Sequence, residues 1–444
     1  MDRLKKGLAL VLSILTVFTL FACTANNTPD TTELGPEIVE KKDYSQYANI
    51  VADPQTWYDE FMALPIANEN MTEDELRQLC ADAFKANLTF QWTPNKEITY
   101  GYKLLGRNSE VSLKPGIAYS GLSYATGKSS GSIWKILNYY DKETGVLDVE
   151  AMDPNKIMSI VTSACARGAQ QGWNRVSGSH GLTSMNSFNR FDSNTVPVGP
   201  YTYEQADYNY DFGSKTASNE IIAKNGEKVM YESYAMMKTA DGLYSSSSWH
   251  VMMASSNAEV ARYADGTING AESYILVHEQ DAVGTKTEKK DITQSNGVIL
   301  RQLGTTDKKV TFKTLFEKGY IPFTLKEFLG EDPIEPGEAW LGTQTAKMEN
   351  GQDLTVQELF ANTLYTNYNL VGVRVEVKAP DGTVLVSYVP EFQTLPTTYS
   401  TTISSALEED RVTPYANGKN TIQIFAQLAN GELIEVYNTI LKTA

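Results

Sequence analysis

Apolar residues recur with helical spacing in the first part of the chain. Residues 46–87 predict two helices, and the second of them begins at a capping box formed by Thr72 and Glu75. The apolar face of this second helix includes Cys80, a position that favours a small buried hydrophobic residue. Residues 88–92 then predict an extended segment.

A further helix is predicted over residues 162–176, with Thr162 or Ser163 as its N-cap. One face of this helix is almost bare, because small residues recur every four positions: Ala164, Gly168 and Gly172. Each glycine costs roughly 1 kcal/mol of helix propensity relative to alanine. We therefore expect a close tertiary contact on the bare face.

Short apolar runs in the second half of the chain predict strands. His250–Ala254 and Tyr274–Gln280 are two such runs, each bounded by polar segments. The Pro- and Gly-containing stretch at residues 332–337 predicts a boundary. Beyond it, residues 371–388 and 422–437 predict two hairpins, with turns at Asp-Gly and Asn-Gly.

These elements predict an α+β fold followed by a small all-β sandwich of the Ig-like kind. The expected organisation has four parts: a signal peptide at 1–22, a tether at 23–45, a helix-and-sheet domain at 46–332 and a β-sandwich domain at 333–444.

The amino-terminal residues have the pattern of a processing signal. Arg3, Lys5 and Lys6 form a basic start, and the apolar run of residues 7–21 is too short for a comfortable membrane span. The run ends in Leu-Phe-Ala before Cys23, which resembles the bacterial lipoprotein signal and implies that Cys23 is lipidated. The alternative is an ordinary signal peptide cleaved nearby. We expect an exported protein, held by lipid on the outer face of the cytoplasmic membrane.

Composition narrows the classes of partner. The net charge of −16, without a basic stripe, argues against nucleic-acid binding. The charged fraction of 21% and the hydrophobic fraction of 41% are those of a globular protein with real cores.

The scarcity of cysteine and histidine limits the possible chemistry. Cys165 lies in the first turn of the 162–176 helix, where the helix dipole favours a thiolate. The alternative is that Cys165 is a buried structural residue, or forms a disulfide with Cys80. Of the three histidines, His250 opens one predicted strand, His278 lies near the end of the next, and His180 belongs to a loop. No usual ligand spacing supports a metal site, and we expect neither a metal nor another cofactor.

These pieces together resemble the NlpC-type papain-like cell-wall peptidases, over roughly residues 70–330. The segments that carry the resemblance are Tyr119–Gly127, SACARGAQQGW around Cys165, WHVMMA around His250 and YILVHEQ around His278. The resemblance implies a helical part packed on a small antiparallel sheet, with Cys165 as nucleophile, His250 as base and His278 as the group that orients the base. Glu279 and Gln280 are the alternatives for that third role. Tyr124, or Tyr119, would help to hold the oxyanion.

The implied function is a cysteine peptidase or amidase that hydrolyses amide bonds in the peptide part of peptidoglycan, with the sandwich domain bound to wall or glycan. Ala164 and Ala166 depart from the Asp and Ser that usually flank the family cysteine. They leave a second possibility open, a catalytically inactive, lipid-anchored binding or adhesion protein.

Overall fold

The computed structural model describes residues 42–104, 107–126, 131–178, 194–203, 217–281, 291–294, 296–349, 351–390 and 398–442. Its α-helices, in chain order, are α1 (Pro54–Met62), α2 (Glu73–Thr89), α3 (Ile133–Leu137), α4 (Ile157–Val161), α5 (Cys165–Trp173), α6 (Ala217–Ala235, broken at Gly226), α7 (Phe312–Glu317), α8 (Val356–Phe360), α9 (Ile403–Ala406) and α10 (Glu409–Val412).

The strands fall into two groups along the chain. Those before residue 330 are β1 (Gln91–Pro94), β2 (Ile98–Leu104), β3 (Arg107–Leu113), β4 (Ala118–Ser120), β5 (Ser123–Tyr124), β6 (Tyr140–Asp141), β7 (Val146–Leu147), β8 (Thr162–Ser163), β9 (Thr195–Pro197), β10 (Gly242–Ser245), β11 (His250–Ala254), β12 (Tyr274–Glu279), β13 (Asp291–Thr293), β14 (Ile299–Gln302), β15 (Thr305–Thr311) and β16 (Ile321–Leu325). Those after it are β17 (Ala339–Gly342), β18 (Leu354–Thr355), β19 (Thr363–Thr366), β20 (Leu370–Lys378), β21 (Val384–Tyr388), β22 (Ser400–Thr402), β23 (Thr421–Leu428) and β24 (Leu433–Lys442).

A six-stranded antiparallel sheet forms the centre of the fold, in the order β15-β12-β11-β10-β16-β9. Helices α2, α5 and α6 share one hydrophobic core with it. The α+β class is therefore confirmed. So are the strands predicted at His250–Ala254 and Tyr274–Gln280, which match β11 and β12 within one residue.

A second six-stranded sheet has its own core and mixes parallel with antiparallel pairs, in the order β13-β14-β4-β1-β7-β6. Its strand β1 starts at Gln91, later than the extended segment predicted from residue 88, because α2 continues to Thr89. The capping box at the start of α2 is confirmed, with reciprocal bonds between Thr72 and Glu75.

The last hundred residues build two further sheets around a separate core. The sheets have the orders β17-β19-β22 and β18-β24-β23-β20-β21, and every buried member of their core lies between residues 341 and 441. Both predicted hairpins are confirmed, as β20–β21 and β23–β24. This part is not isolated from the preceding residues, since all described residues belong to one compact unit.

Helix α5 packs closely on its neighbours through its glycines. A Cβ atom added at Gly172 would lie 2.5 Å from the Cys80 carbonyl oxygen of α2 and 2.8 Å from the Met253 Cε of β11. One added at Gly168 would lie 3.0 Å from both Phe84 and Gln280. The expected close contact on the bare face is thus confirmed, and it joins α5 to both α2 and the central sheet.

The predicted start of α5 is wrong by one or two residues. Ala164 is the N-cap, and no side chain caps the helix. Thr162 and Ser163 are instead strand residues, because they pair with Ser123 and Tyr124 in a parallel ladder. This pairing fixes the β5 segment beside the first turn of α5.

The amino-terminal predictions, including the signal peptide and the lipidated Cys23, lie outside the described residues, as does His180. Within the part of the chain that the structure describes, no helix is both long and apolar enough to span a membrane.

We expect Gly172→Ala to lower the free energy of unfolding by about 1–3 kcal/mol, because the added methyl group cannot fit between α5 and α2. The gain in helix propensity, roughly 1 kcal/mol, opposes this loss. Gly372→Ala is the matched control, since its added methyl would meet only the Gln427 Cβ at 3.6 Å. Denaturant titration of both variants checks the prediction, and equal midpoints would contradict it.

Candidate active site

Cys165 is the first residue of α5, and its side chain is buried beside the start of β11. The thiol lies 3.6 Å from the carbonyl oxygen of Trp249. Burial by itself favours the neutral thiol. His250 opposes this effect through a hydrogen bond to the thiol and through its positive charge, and the backbone N–H groups of Val251 and Ala166 act in the same direction. Together they outweigh burial and lower the pKa of Cys165 below its ordinary value. The thiolate fraction at a given pH is therefore larger than for an ordinary cysteine.

His250 bridges this sulfur and a carboxylate. Its Nε2 lies 3.0 Å from Oε2 of Glu279, which leaves Nδ1 for the sulfur. Burial disfavours the charged ring, but the hydrogen bonds to Cys165 and Glu279 and the negative charges of both raise the pKa of His250 to about 10. At pH 7 the imidazole is accordingly protonated.

Glu279 completes a line of alternating charge. It is 3% exposed, so burial opposes its ionisation, yet bonds to His250 and Lys308 hold its pKa at about 2. The Lys308 Nζ lies 2.5 Å from Oε1 of Glu279 and is about half exposed. When Cys165 is ionised, the charges from the helix outwards are thiolate, imidazolium, carboxylate and ammonium, so each buried charge then has an opposite neighbour.

His278 does not contact His250, so the preference for it as the orienting residue is corrected in favour of Glu279. In the β11–β12 ladder His278 lies opposite Met253, which is three positions from His250 and so on the other face of the strand. The His278 ring packs edge-on against Phe84 of α2, and its Nδ1 accepts the N–H of Asp307 at 3.3 Å. Burial lowers the pKa of His278 to about 4, so the ring is neutral.

Gln280, the other alternative, also lies away from His250. Its buried amide donates to the carbonyl oxygens of Leu122 and Leu303, at 2.9 and 3.2 Å. Gln280 thereby ties the end of β12 to the β4–β5 connection, which is a structural role.

The two candidate tyrosines, Tyr124 and Tyr119, lie in different parts of the structure. The Tyr124 hydroxyl hydrogen-bonds with Cys165, and burial, followed by the negative charge of that residue, raises the pKa of the phenol. Tyr119 is fully buried in the second sheet, where its ring packs at a tilt against Trp92 and its hydroxyl accepts the N–H of Lys114. Of the two tyrosines predicted for the site, Tyr124 therefore lies beside Cys165 and Tyr119 does not.

Three residues at the site were not singled out from the sequence. Lys308 lies in β15 and Tyr320 directly precedes β16, and only the pairing of distant strands brings them near the site. The Tyr320 hydroxyl hydrogen-bonds to Ser248, and burial, with the charges of Glu279 and Cys165, raises its pKa. Trp249 has φ of 48°, a left-handed backbone unusual for a bulky residue, directly before His250. No signal in the sequence marks this conformation.

Cys80 and Cys165 are both free, so the alternative of a disulfide between them is not realised. Among the described residues, no group of three or more His, Cys, Asp or Glu side chains could hold a metal ion. Cys165, His250 and Glu279 thus form a connected series of a thiol, an imidazole and a carboxylate, the combination of groups that nucleophilic catalysis requires.

No family model, curated protein or solved structure matches this chain. The functional argument therefore depends on the geometry and charges of the site itself.

We expect iodoacetamide to alkylate Cys165 at pH 7 and Cys80 not at all. The folded pKa of Cys165 is lowered, so its thiolate persists as the pH falls below the ordinary thiol value of ~8.5 and is lost only through the lowered pKa. Burial raises the pKa of Cys80 instead, and its side chain is fully buried. Mass spectrometry of the labelled full chain across a pH series measures both rates.

His250→Ala removes the cation beside the sulfur and should move the labelling profile of Cys165 to higher pH. The Cys165→Ala protein is the control for site specificity and should take up no label on the peptide that contains position 165. A wild-type profile that rises only above pH ~8.5 would contradict the ion pair.

Proposed function

We propose that this chain is a cysteine peptidase or amidase that hydrolyses amide bonds, with the stem peptides of peptidoglycan as its substrate class. The observation that supports it is the line from the Cys165 sulfur through His250 to Glu279, with the thiol pKa lowered and the imidazole pKa raised to about 10. A buried structural cysteine has no need of such partners. Cys80, in the same protein, has none of them.

In the proposed reaction the Cys165 thiolate attacks the amide carbonyl carbon and forms a C–S bond. The carbonyl electron pair moves onto oxygen, and the His250 imidazolium gives its proton to the leaving amine as the C–N bond breaks. Water then attacks the thioester, with neutral His250 accepting its proton, and the thiolate returns. Glu279 keeps the ring oriented and stabilises its charge throughout.

Two donors would stabilise the oxyanion. One is the Tyr124 hydroxyl, which hydrogen-bonds to the Cys165 side chain. Tyr124 is held beside the first turn of α5 because it pairs with Ser163 of β8. The backbone N–H groups of that first turn, with the positive end of the helix dipole, supply the rest. The Ala166 N–H bonds to the sulfur itself. Ala164 and Ala166 leave the other backbone N–H groups of the first turn unchanged, because these do not depend on the side chain.

The finer fold assignments belong to the same proposal. Helix α5 between α2 and an antiparallel sheet supports a papain-like arrangement for residues 46–332, and two sheets around one core support a β-sandwich of the Ig-like kind for residues 333–444. We propose that the protein is exported and anchored at Cys23, with the β-sandwich domain bound to wall or glycan.

Cys165→Ala should abolish release of amines from purified muropeptides. Glu279→Gln should lower kcat by a factor on the order of 10²–10⁴, because the amide cannot stabilise the imidazolium. His278→Gln is the matched control: it keeps an acceptor for the N–H of Asp307 and should leave kcat nearly unchanged. Amine release by the folded proteins is measured by chromatography.

Two outcomes would contradict these assignments. Muropeptide hydrolysis by Cys165→Ala at the parent rate would refute the assignment of Cys165 as the nucleophile. A larger loss of kcat in His278→Gln than in Glu279→Gln would reverse the choice of orienting residue. If the wild-type protein labels at Cys165 but hydrolyses no muropeptide, the peptidoglycan assignment fails while the activated thiol stands.

Cys23→Ser should prevent incorporation of labelled palmitate and release the protein from the membrane fraction, because one thioether-linked lipid site is removed. Cys165→Ala, which leaves the amino terminus intact, should keep the label. Palmitate incorporation and cell fractionation measure both effects, and an unlabelled wild-type protein would favour ordinary signal-peptide cleavage.

A further inference from the structure

A cavity of about 60 Å³ lies between helix α5 and the C-terminal sheet, away from the Cys165 sulfur. Its walls come from both parts of the chain: Arg167, Asn174 and Arg175 from α5 and the residues just after it, Lys135 and Trp134 from α3, and Asn369 from the position just before β20. Such a volume holds a few water molecules or one small ligand.

The lining of this cavity is cationic in a strongly acidic protein. Lys135, Arg167 and Arg175 line it, and no Asp or Glu is among its described lining residues, although the chain carries a net charge of −16. An adjoining cavity of about 30 Å³ shares Lys135 and adds Lys156, again without a described acidic residue. The local charge therefore favours an anion.

Arg175 is held in position by the protein. It is 3% exposed, its guanidinium carbon lies 5.7 Å from the Trp134 ring centre, and its Nη1 donates to the carbonyl oxygen of Asn430 at 3.1 Å. Gly431 makes this approach possible, because a Cβ at that position would lie 2.3 Å from Nη1. Burial lowers the pKa of Arg175 to about 10 and that of Lys135 to about 7.

Buried amides in the same lining lack partners. Asn369 is 2% exposed, and neither its Nδ2 nor its Oδ1 has a hydrogen-bond partner; the Oδ1 of Asn174, 5% exposed, has none either. Buried polar groups in native structures are nearly always satisfied, so these atoms indicate a missing polar partner. The partner must both accept a hydrogen bond, from Asn369 Nδ2, and donate, to the two amide oxygens.

We propose that this cavity binds a small carboxylate that carries hydroxyl groups. The carboxylate meets the guanidinium and ammonium groups, for which it is the natural acceptor. The hydroxyl groups meet the amide oxygens of Asn174 and Asn369. The ligand thereby joins the carboxyl-terminal end of α5 to the C-terminal sheet, a role independent of the thiol chemistry proposed above.

Calorimetric titration of the purified full chain tests the site, after dialysis into an anion-poor zwitterionic buffer. The probes are glycerate, acetate and glycerol, which separate the carboxylate from the hydroxyl groups. We expect glycerate to bind with Kd below about 1 mM, acetate more weakly and glycerol not measurably. Absence of saturable glycerate binding, or equal binding of glycerol, would overturn the proposal. Water would then be the hydrogen-bond partner of the Asn174 and Asn369 amides.

Asn369→Asp keeps the size of the side chain and places a carboxylate among the cations. It should weaken glycerate binding about tenfold or more and raise the melting temperature of the ligand-free protein. Gln357→Glu, an exposed residue of α8, adds the same charge to the same part of the chain and should change neither quantity.

If Asn369→Asp does not fold, Asn174→Asp makes the same test from the α5 side of the cavity. Glycerate binding that persists at wild-type strength in the folded variant would overturn the location of the site. Because the test measures binding and melting, its result does not depend on whether muropeptides are hydrolysed.

Discussion

The close approach of helix α5 to helix α2 and the central sheet is the constraint on which the site depends. Gly168 and Gly172 allow this approach, since a side chain at either position would meet Phe84, Cys80 or Met253. The helix thereby begins beside the start of β11, where the backbone of Val251 and the ring of His250 reach the sulfur. A larger residue at Gly172 would separate helix from sheet and so change the geometry of the thiol.

The charges at the site are stable only as a set. Taking a single ion out of water costs several kcal/mol, and Cys165, His250 and Glu279 are all largely removed from it. Their alternating signs offset this cost, and Lys308, about half exposed, joins the line to solvent. Lys308 is too exposed to contribute much by itself. Its effect is on Glu279, which stays ionised and so keeps the imidazole protonated.

The sequence predicted the parts of this site that depend on local pattern. The spacing of small residues predicted a close contact for α5, and the apolar runs predicted β11 and β12. The third residue could not be chosen, because alternation says that His278 and Glu279 point to opposite faces but not which face carries His250. That choice requires the register, with His278 opposite Met253. The error at Thr162 and Ser163 has the same origin, since their capping chemistry is overridden by pairing with β5. Lys308 and Tyr320 reach this site only through long-range packing, which no local pattern encodes. The same holds for Asn369 in the separate cationic cavity.

Cys80 and Cys165 separate the effect of burial from the effect of neighbours. Both are free and both are buried, so exposure does not distinguish them. At Cys80, burial and then the charge of Glu327 raise the thiol pKa; at Cys165, burial acts in the same direction but is outweighed by His250 and two backbone N–H groups. The position at a helix start matters because it supplies one of those N–H groups, that of Ala166, whereas Cys80 lies in the middle of α2, where backbone N–H groups are used within the helix. The chemistry of each cysteine thus follows from where its helix begins.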